Sequence, residues 1–269
     1  MISETLLIDG PESPIPALLI RRHTLSRVRG KGKGKGEGEG RAIAASESPA
    51  VILCHGFGCS KESNLPELEC LAKAGFLAVG LDAPSHGERR DGRLEALKGI
   101  PHPERYAGVI EIVRRAAREI PFVVRNLLDN GAPSVGLVGI SMGGVTGFAS
   151  CILDPRPSAL VAMMASPDFR YRVGPDRTPL PGYEDSPHLF PERFPPMAVK
   201  IITAGRDTIV PPSSAREFAE TLLPFYSDIP DRLSALHFPE SEHMMRPQDW
   251  DAAWEETTRW LASQLKKNQ

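Results

Sequence analysis

The stretch Gly139-Ile140-Ser141-Met142-Gly143-Gly144 sets a hydroxyl between glycines two places away on each side. It follows an apolar run, Val135 to Ile140, and precedes a helix-compatible run, Val145 to Leu153. A serine at such a strand-to-helix turn fits the nucleophile-elbow pattern. The turn is so sharp that the serine is expected in strained backbone geometry, with its hydroxyl at the tip. A side chain at position 139 or 143 would collide with the neighbouring strand or helix, so hydrogen fits best there. The helix start behind Ser141 aims free N–H groups at whatever the serine attacks. Short patterns of this kind also arise as glycine-rich turns with an incidental serine, so the rest of the chain has to decide.

A serine hydroxyl is a poor nucleophile without a base in hydrogen-bond reach. Three other strand-like runs end in polar groups. Val51 to Cys54 leads into His55-Gly56-Phe57-Gly58, Ile201 to Ala204 into Gly205-Arg206-Asp207, and Leu236 to Phe238 into Glu240-Ser241-Glu242-His243. The chain order is therefore Ser141, Asp207, His243, each just past a strand. Asp207 has a plainer reading as a turn or capping aspartate. Of the seven histidines, His237 lies inside the last strand and His23 precedes a glycine-rich stretch. His102 and His188 sit in proline-flanked excursions, and only His243 follows the last strand. Glu240 and Glu242 beside it either raise its basicity or are solvated loop charges.

Taken together these segments resemble the α/β-hydrolases, in particular the esterase and dienelactone-hydrolase-like group, which neighbours prolyl-oligopeptidase-type domains. The resemblance covers about residues 50–265. It is carried by His55 to Gly58, Asp82-Ala83-Pro84-Ser85-His86-Gly87, the elbow at Ser141, Gly205 to Pro211, and Ser241-Glu242-His243. It implies an α/β-hydrolase fold in which Ser141 attacks, His243 moves the proton and Asp207 orients the imidazole. It also implies an oxyanion hole of two backbone N–H groups. One is that of Met142; the other, by similarity to HGxG sequences, is that of Phe57, with Gly58 as its rival. His55 would serve structurally, and the family counterpart of Asp82 to Arg90 braces the active-site floor. Asp82 with His86 also reads as a second acid–base pair or as metal ligands, but a lone Asp and His make a weak site. No cofactor and no metal are implied.

The activity expected from the resemblance is that of a serine carboxylesterase. It would hydrolyse small to medium acyl esters through an acyl-enzyme. Thioesters or peptides would pass through the same kind of oxyanion, so a thioesterase or a prolyl-oligopeptidase-like peptidase is the enzymatic alternative. A binding protein that keeps the fold without the chemistry is the other. A dienelactone hydrolase proper would carry cysteine at position 141, and dehalogenases or epoxide hydrolases aspartate.

These residues need a scaffold. Residues 2–8 and 15–22 read as an antiparallel hairpin at a sheet edge. Apolar strand-like runs follow at 50–54, 76–82, 134–140, 159–165, 198–204 and 233–238. Helix-compatible segments lie at 62–74, 104–130, 142–154, 213–223 and 248–266. Short apolar strands alternating with helices predict a mostly parallel sheet covered on both faces, with ligands at the carboxyl ends of its strands. The whole chain, 1–269, reads as one domain. Gly30 to Gly40 alternates glycine with Lys31, Lys33, Lys35, Glu37 and Glu39, which predicts a flexible loop over 23–48. The proline-rich 168–196 stretch, with Phe169, Tyr171, Tyr183, Phe190 and Phe194, predicts a small lid-like insertion or pocket wall.

Composition narrows the class further. Basic and acidic side chains number 32 and 34, mixed along the chain, for a net charge of −2. That balance argues against a nucleic-acid partner and leaves a small-molecule ester as the expected partner. Hydrophobic residues at 41% suffice for a sizeable core, yet no apolar run reaches membrane-spanning length. The four cysteines show no CxxC pair and no zinc-like spacing. They read as reduced, mostly buried thiols of a cytoplasmic protein.

Overall fold

Periodicity in the strands explains the layering. Along β3 (Ala50–Cys54), Ala50, Ile52 and Cys54 face one core while Val51 and Leu53 face another. Successive strand residues point to opposite faces, so a strand apolar throughout must be covered on both. The computed structural model describes residues 1–22, 47–101, 104–170 and 182–265. His23, His102, Tyr171 and the Gly/Lys/Glu repeat lie outside the described residues.

Eight strands form one sheet. β1 (Ile2–Ile8) and β2 (Ile15–Arg21) make the antiparallel hairpin, and β2 pairs antiparallel with β4 (Leu77–Leu81). β3, β4, β5 (Val135–Ile140), β6 (Ala159–Met163), β7 (Ala198–Ala204) and β8 (Leu233–Phe238) run parallel, in the order β1-β2-β4-β3-β5-β6-β7-β8. One face carries α1 (Leu65–Lys73) and α6 (Pro247–Leu265). The other carries α3 (Glu104–Asp129), α4 (Met142–Cys151) and α5 (Ser213–Leu222). This is the α/β-hydrolase fold.

Two details differ from the expected elements. A six-residue helix, α2 (Arg93–Lys98), occupies a segment with no expected element. The segment expected to be helical from residue 62 begins instead as a 3-10 turn, Lys61–Asn64, and turns α-helical only at Leu65, with Pro66 in its first turn. Proline there lacks an N–H that no helix start uses, so it fixes the start.

The described ends of the 168–196 stretch are built into the body. Phe169, Tyr183 and Phe194 are buried in the core beside α4 and α5. Arg114 of α3 holds the returning segment through Asp185 and the Gly182 carbonyl, and lies over the Phe169 and Tyr183 rings. Residues 171–181 of that stretch lie outside the described residues.

Candidate active site

Register places the polar strand ends together. Cys54 pairs opposite Gly139, so the loop after β3 and the turn after β5 emerge side by side. Ala204 pairs opposite Phe238, which does the same for the loops after β7 and β8.

Ser141 sits between β5 and α4 with φ 53° and ψ −116°. Positive φ is costly for a residue with a side chain, and such strain clusters at functional sites. The flanking glycines explain how the turn closes. A Cβ at Gly139 would lie 2.2 Å from the Gly143 carbonyl oxygen, and one at Gly143 would lie 2.1 Å from that of Cys54. Gly144, outside the expected pair, is just as confined: its Cβ would meet that of Ala165 at 2.5 Å. The Ser141 N–H donates to the Met163 carbonyl at 2.8 Å, which ties the strained residue to β6.

His243 Nε2 lies 2.9 Å from Ser141 Oγ, and His243 Nδ1 lies 2.7 Å from Asp207 Oδ2. The other Asp207 oxygen accepts the N–H groups of Ile209 and Val210, both at 2.8 Å. Those two bonds and burial hold the carboxylate in one orientation. An ionised Asp207 accepts only, so Nδ1 carries the proton and Nε2 is free to accept from the serine hydroxyl. The structure thus brings Ser141, His243 and Asp207 into one hydrogen-bonded chain.

The loop bearing His243 has supports that the sequence did not announce. Ser241 is fully buried; its carbonyl accepts the Arg206 N–H at 2.8 Å and its hydroxyl donates to Asp249 of α6 at 2.6 Å. Gly205 lets the acid loop approach, since a Cβ there would lie 2.4 Å from the Pro239 carbonyl oxygen. Of the neighbouring acids, Glu240 pairs with Arg206 at the surface and Glu242 is exposed, which favours the solvated reading for both. His237 is exposed on the edge strand β8, where its Nδ1 meets the Thr203 hydroxyl of β7 at 2.9 Å.

Met142 opens α4, where a first-turn N–H has no acceptor within the helix. Phe57 and Gly58 form the centre of a turn closed by Cys59 N–H donating to the Gly56 carbonyl at 3.2 Å, with Gly58 at φ 80°. A Cβ built on Gly56 would sit 3.8 Å from that of Ser141, so this loop borders the serine. His55 Nδ1 donates to the Gly56 carbonyl at 2.8 Å, and Nε2 accepts the Ala83 N–H at 3.1 Å. Burial keeps this ring neutral, with its pKa pushed down to about 4. The His86 ring packs edge-on against Phe57 at 5.6 Å between centroids.

Asp82 is not paired with His86. It accepts from Lys61, a residue without mark in the sequence, whose buried ammonium lies 2.8 Å from Asp82 Oδ2. Among the described residues no group of three or more His, Cys, Asp or Glu side chains is disposed to hold a metal. None of the four cysteines is in a disulfide; Cys54 and Cys151 are buried, Cys70 is half-buried and Cys59 is exposed, so half rather than most are buried. No described helix is long and apolar enough to cross a membrane.

The fold agrees with comparison to known proteins. The sequence model of the Alpha/beta hydrolase family matches residues 51–267, and the chain belongs to that family. The Bacillus subtilis (strain 168) protein named "Putative esterase YitV" is 29% identical over 239 residues, covering 81% of this chain and 89% of that one. Among solved structures, TT1662 from Thermus thermophilus superposes with a TM-score of 0.64 at 22% identity, over 97% of this chain and 99% of that one. The Pyrococcus furiosus esterase Pf2001 does so with a TM-score of 0.63 at 15% identity, over 98% and 93%. At such identities the two structures speak for the fold alone.

Proposed function

We propose that this chain is a serine carboxylesterase acting on small to medium acyl esters, a single catalytic domain spanning 1–269. The observation that carries the reading is the unbroken chain from Ser141 Oγ through His243 to Asp207, at 2.9 and 2.7 Å. The esterase name of the Bacillus subtilis relative points the same way.

In this reading His243 takes the hydroxyl proton as Ser141 Oγ attacks the ester carbonyl. Asp207 stabilises the imidazolium that forms. The oxyanion is met by the N–H groups of Met142 and of Phe57, with Gly58 next in the same turn; such preorganised donors favour the tetrahedral state over the planar carbonyl. His243 then returns the proton to the departing alkoxide, which leaves an acyl-enzyme and a free alcohol. Water, deprotonated by His243, attacks the acyl carbon, and Ser141 departs with the proton. The free thiols suit a reducing compartment, and a cytoplasmic location is proposed on that ground.

The test is Ser141→Ala with 4-nitrophenyl butyrate and a fluorophosphonate probe. Wild-type protein is expected to turn over the ester and take up one phosphonyl group, and the variant to lose both by at least about 10³-fold. Equal turnover by a folded variant would refute the assignment. Wild-type protein that neither labels nor hydrolyses would point to the non-catalytic alternative. Parallel assays on a thioester and a peptide anilide separate the ester reading from its enzymatic alternatives.

A further inference from the structure

Beyond the triad, the structure places a buried cation at the far end of the oxyanion loop. The loop leaves β3 at His55 and ends at Lys61, where the 3-10 turn begins. The Lys61 side chain is fully buried, and its stem lies along β4, where a Cβ on Gly80 would come within 3.4 Å of it. Its ammonium meets Asp82 at 2.8 Å, Glu88 at 2.6 Å and Glu62 at 2.7 Å. Its backbone N–H donates to the other Asp82 oxygen at 2.9 Å. Asp82 also accepts the Glu88 N–H at 3.0 Å. Gly87 makes room for the carboxylate: a Cβ there would lie 2.1 Å from Asp82 Oδ1.

The two ends of the loop are therefore fastened to adjacent residues of one segment, Ala83 holding His55 and Asp82 holding Lys61. Between those points Phe57 packs against the core and meets the His86 ring edge-on. Beyond the Phe57–Gly58 turn the loop is next anchored in the body at Lys61, so the Lys61–Asp82 pairing fixes its C-terminal end.

We propose that Lys61 is a positioning residue for the oxyanion hole: its buried pairing with Asp82 sets where the Phe57 and Gly58 N–H groups stand relative to Ser141. The inference rests on the reading of Ser141 as nucleophile. Burial alone would lower the lysine pKa, yet its bonds to Asp82, Glu62 and Glu88 outweigh that and raise it, so the clamp stays charged across the working range of a histidine base. Because the donors act on the transition state, loosening them lowers kcat and leaves ground-state binding nearly unchanged.

The experiment compares wild type, Lys61→Met, the double variant Lys61→Met/Asp82→Asn, and Lys200→Met, which removes a second buried lysine, paired with Glu256 away from the site. Three quantities are read: the rate of fluorophosphonate labelling of Ser141, kcat and KM on 4-nitrophenyl butyrate, and thermal unfolding. The labelling rate needs no knowledge of the natural substrate, since phosphonylation also builds charge on an oxygen in the oxyanion hole. The double variant removes both charges, so no buried carboxylate at position 82 is left unpaired and a folded protein is available. Losing one whole oxyanion donor typically costs roughly 10²–10³-fold in kcat. A displaced donor is expected to cost about 10–100-fold in both Lys61 variants, with KM within about twofold of wild type. Lys200→Met is expected to lose thermal stability but not labelling rate. Wild-type labelling rates in the Lys61 variants, or recovery of kcat together with stability in the double variant, would overturn the proposal. Wild-type protein that fails to label would instead remove the nucleophile itself, and the clamp with it.

Discussion

His55 shows how much one side chain near the serine depends on protonation. Its Nε2 accepts from the Ala83 N–H, and a backbone amide cannot accept in return, so a protonated ring loses that bond. Folded, the ring titrates only near pH 4; unfolded, it returns to about 6.5. Above pH 6.5 both states are neutral and the group adds nothing to pH dependence. As pH falls from 6.5 towards 4, the unfolded chain takes up a proton that the folded one refuses, and stability drops by on the order of 3 kcal/mol before levelling off. Urea unfolding followed from pH 7 to 4 is expected to show this decline, and His55→Gln is expected to flatten it. An equally steep decline in the variant would assign the effect to other groups.

At the scale of elements, α4 is pressed against β3 through bare glycine. A Cβ on Gly143 would lie 2.1 Å from the Cys54 carbonyl oxygen and 2.8 Å from that of His55. Backbone cannot swing aside as a side chain does, so Gly143→Ala must push the helix start away from the strand, carrying Met142 with it. Overpacking of this kind costs about 1–3 kcal/mol and occasionally more. Unfolding is expected to show a loss of about 3 kcal/mol, with labelling of Ser141 slowed beyond what stability explains. Most of the elements around this junction were legible in the sequence, because each of Ser141, Asp207 and His243 follows an apolar strand and the order of the three is diagnostic. The glycines at 139 and 143 announced a close approach for the same reason. Lys61 was not legible. Lysine defaults to the surface, and its partner is 21 residues away across two elements. Ser241 stood in a quoted motif, but its bond to Asp249 depends on how α6 begins. The six residues of α2 are too few for periodicity to speak.

For the whole molecule, the distribution of thiols reports on folding. Cys59 is exposed on the loop after β3, while Cys54 and Cys151 are buried, one on each side of the junction between β3 and α4. Burial drives the Cys54 thiol up to about 12 and pushes Cys151 up as well. A thiol reacts as its thiolate. Titration with an aromatic disulfide at pH 8 is therefore expected to consume Cys59 quickly and Cys70 more slowly. Cys54 and Cys151 should react only once the protein unfolds, so their reaction rate under native conditions measures global opening. Rapid reaction of all four would mean that the sheet does not close over them.

The order of the strands also has a bearing on synthesis. Ser141 leaves the ribosome with the middle of the sheet, whereas His243 follows it by 102 residues. The base reaches the serine only when β8 has added to the outer edge of β7. α6 closes the chain, its Leu265 carbonyl accepting the Ser134 hydroxyl at the root of β5. On the proposed mechanism, a chain that has not yet set β8 beside β7 holds Ser141 without its base, so ester turnover is expected only once that edge strand is in place.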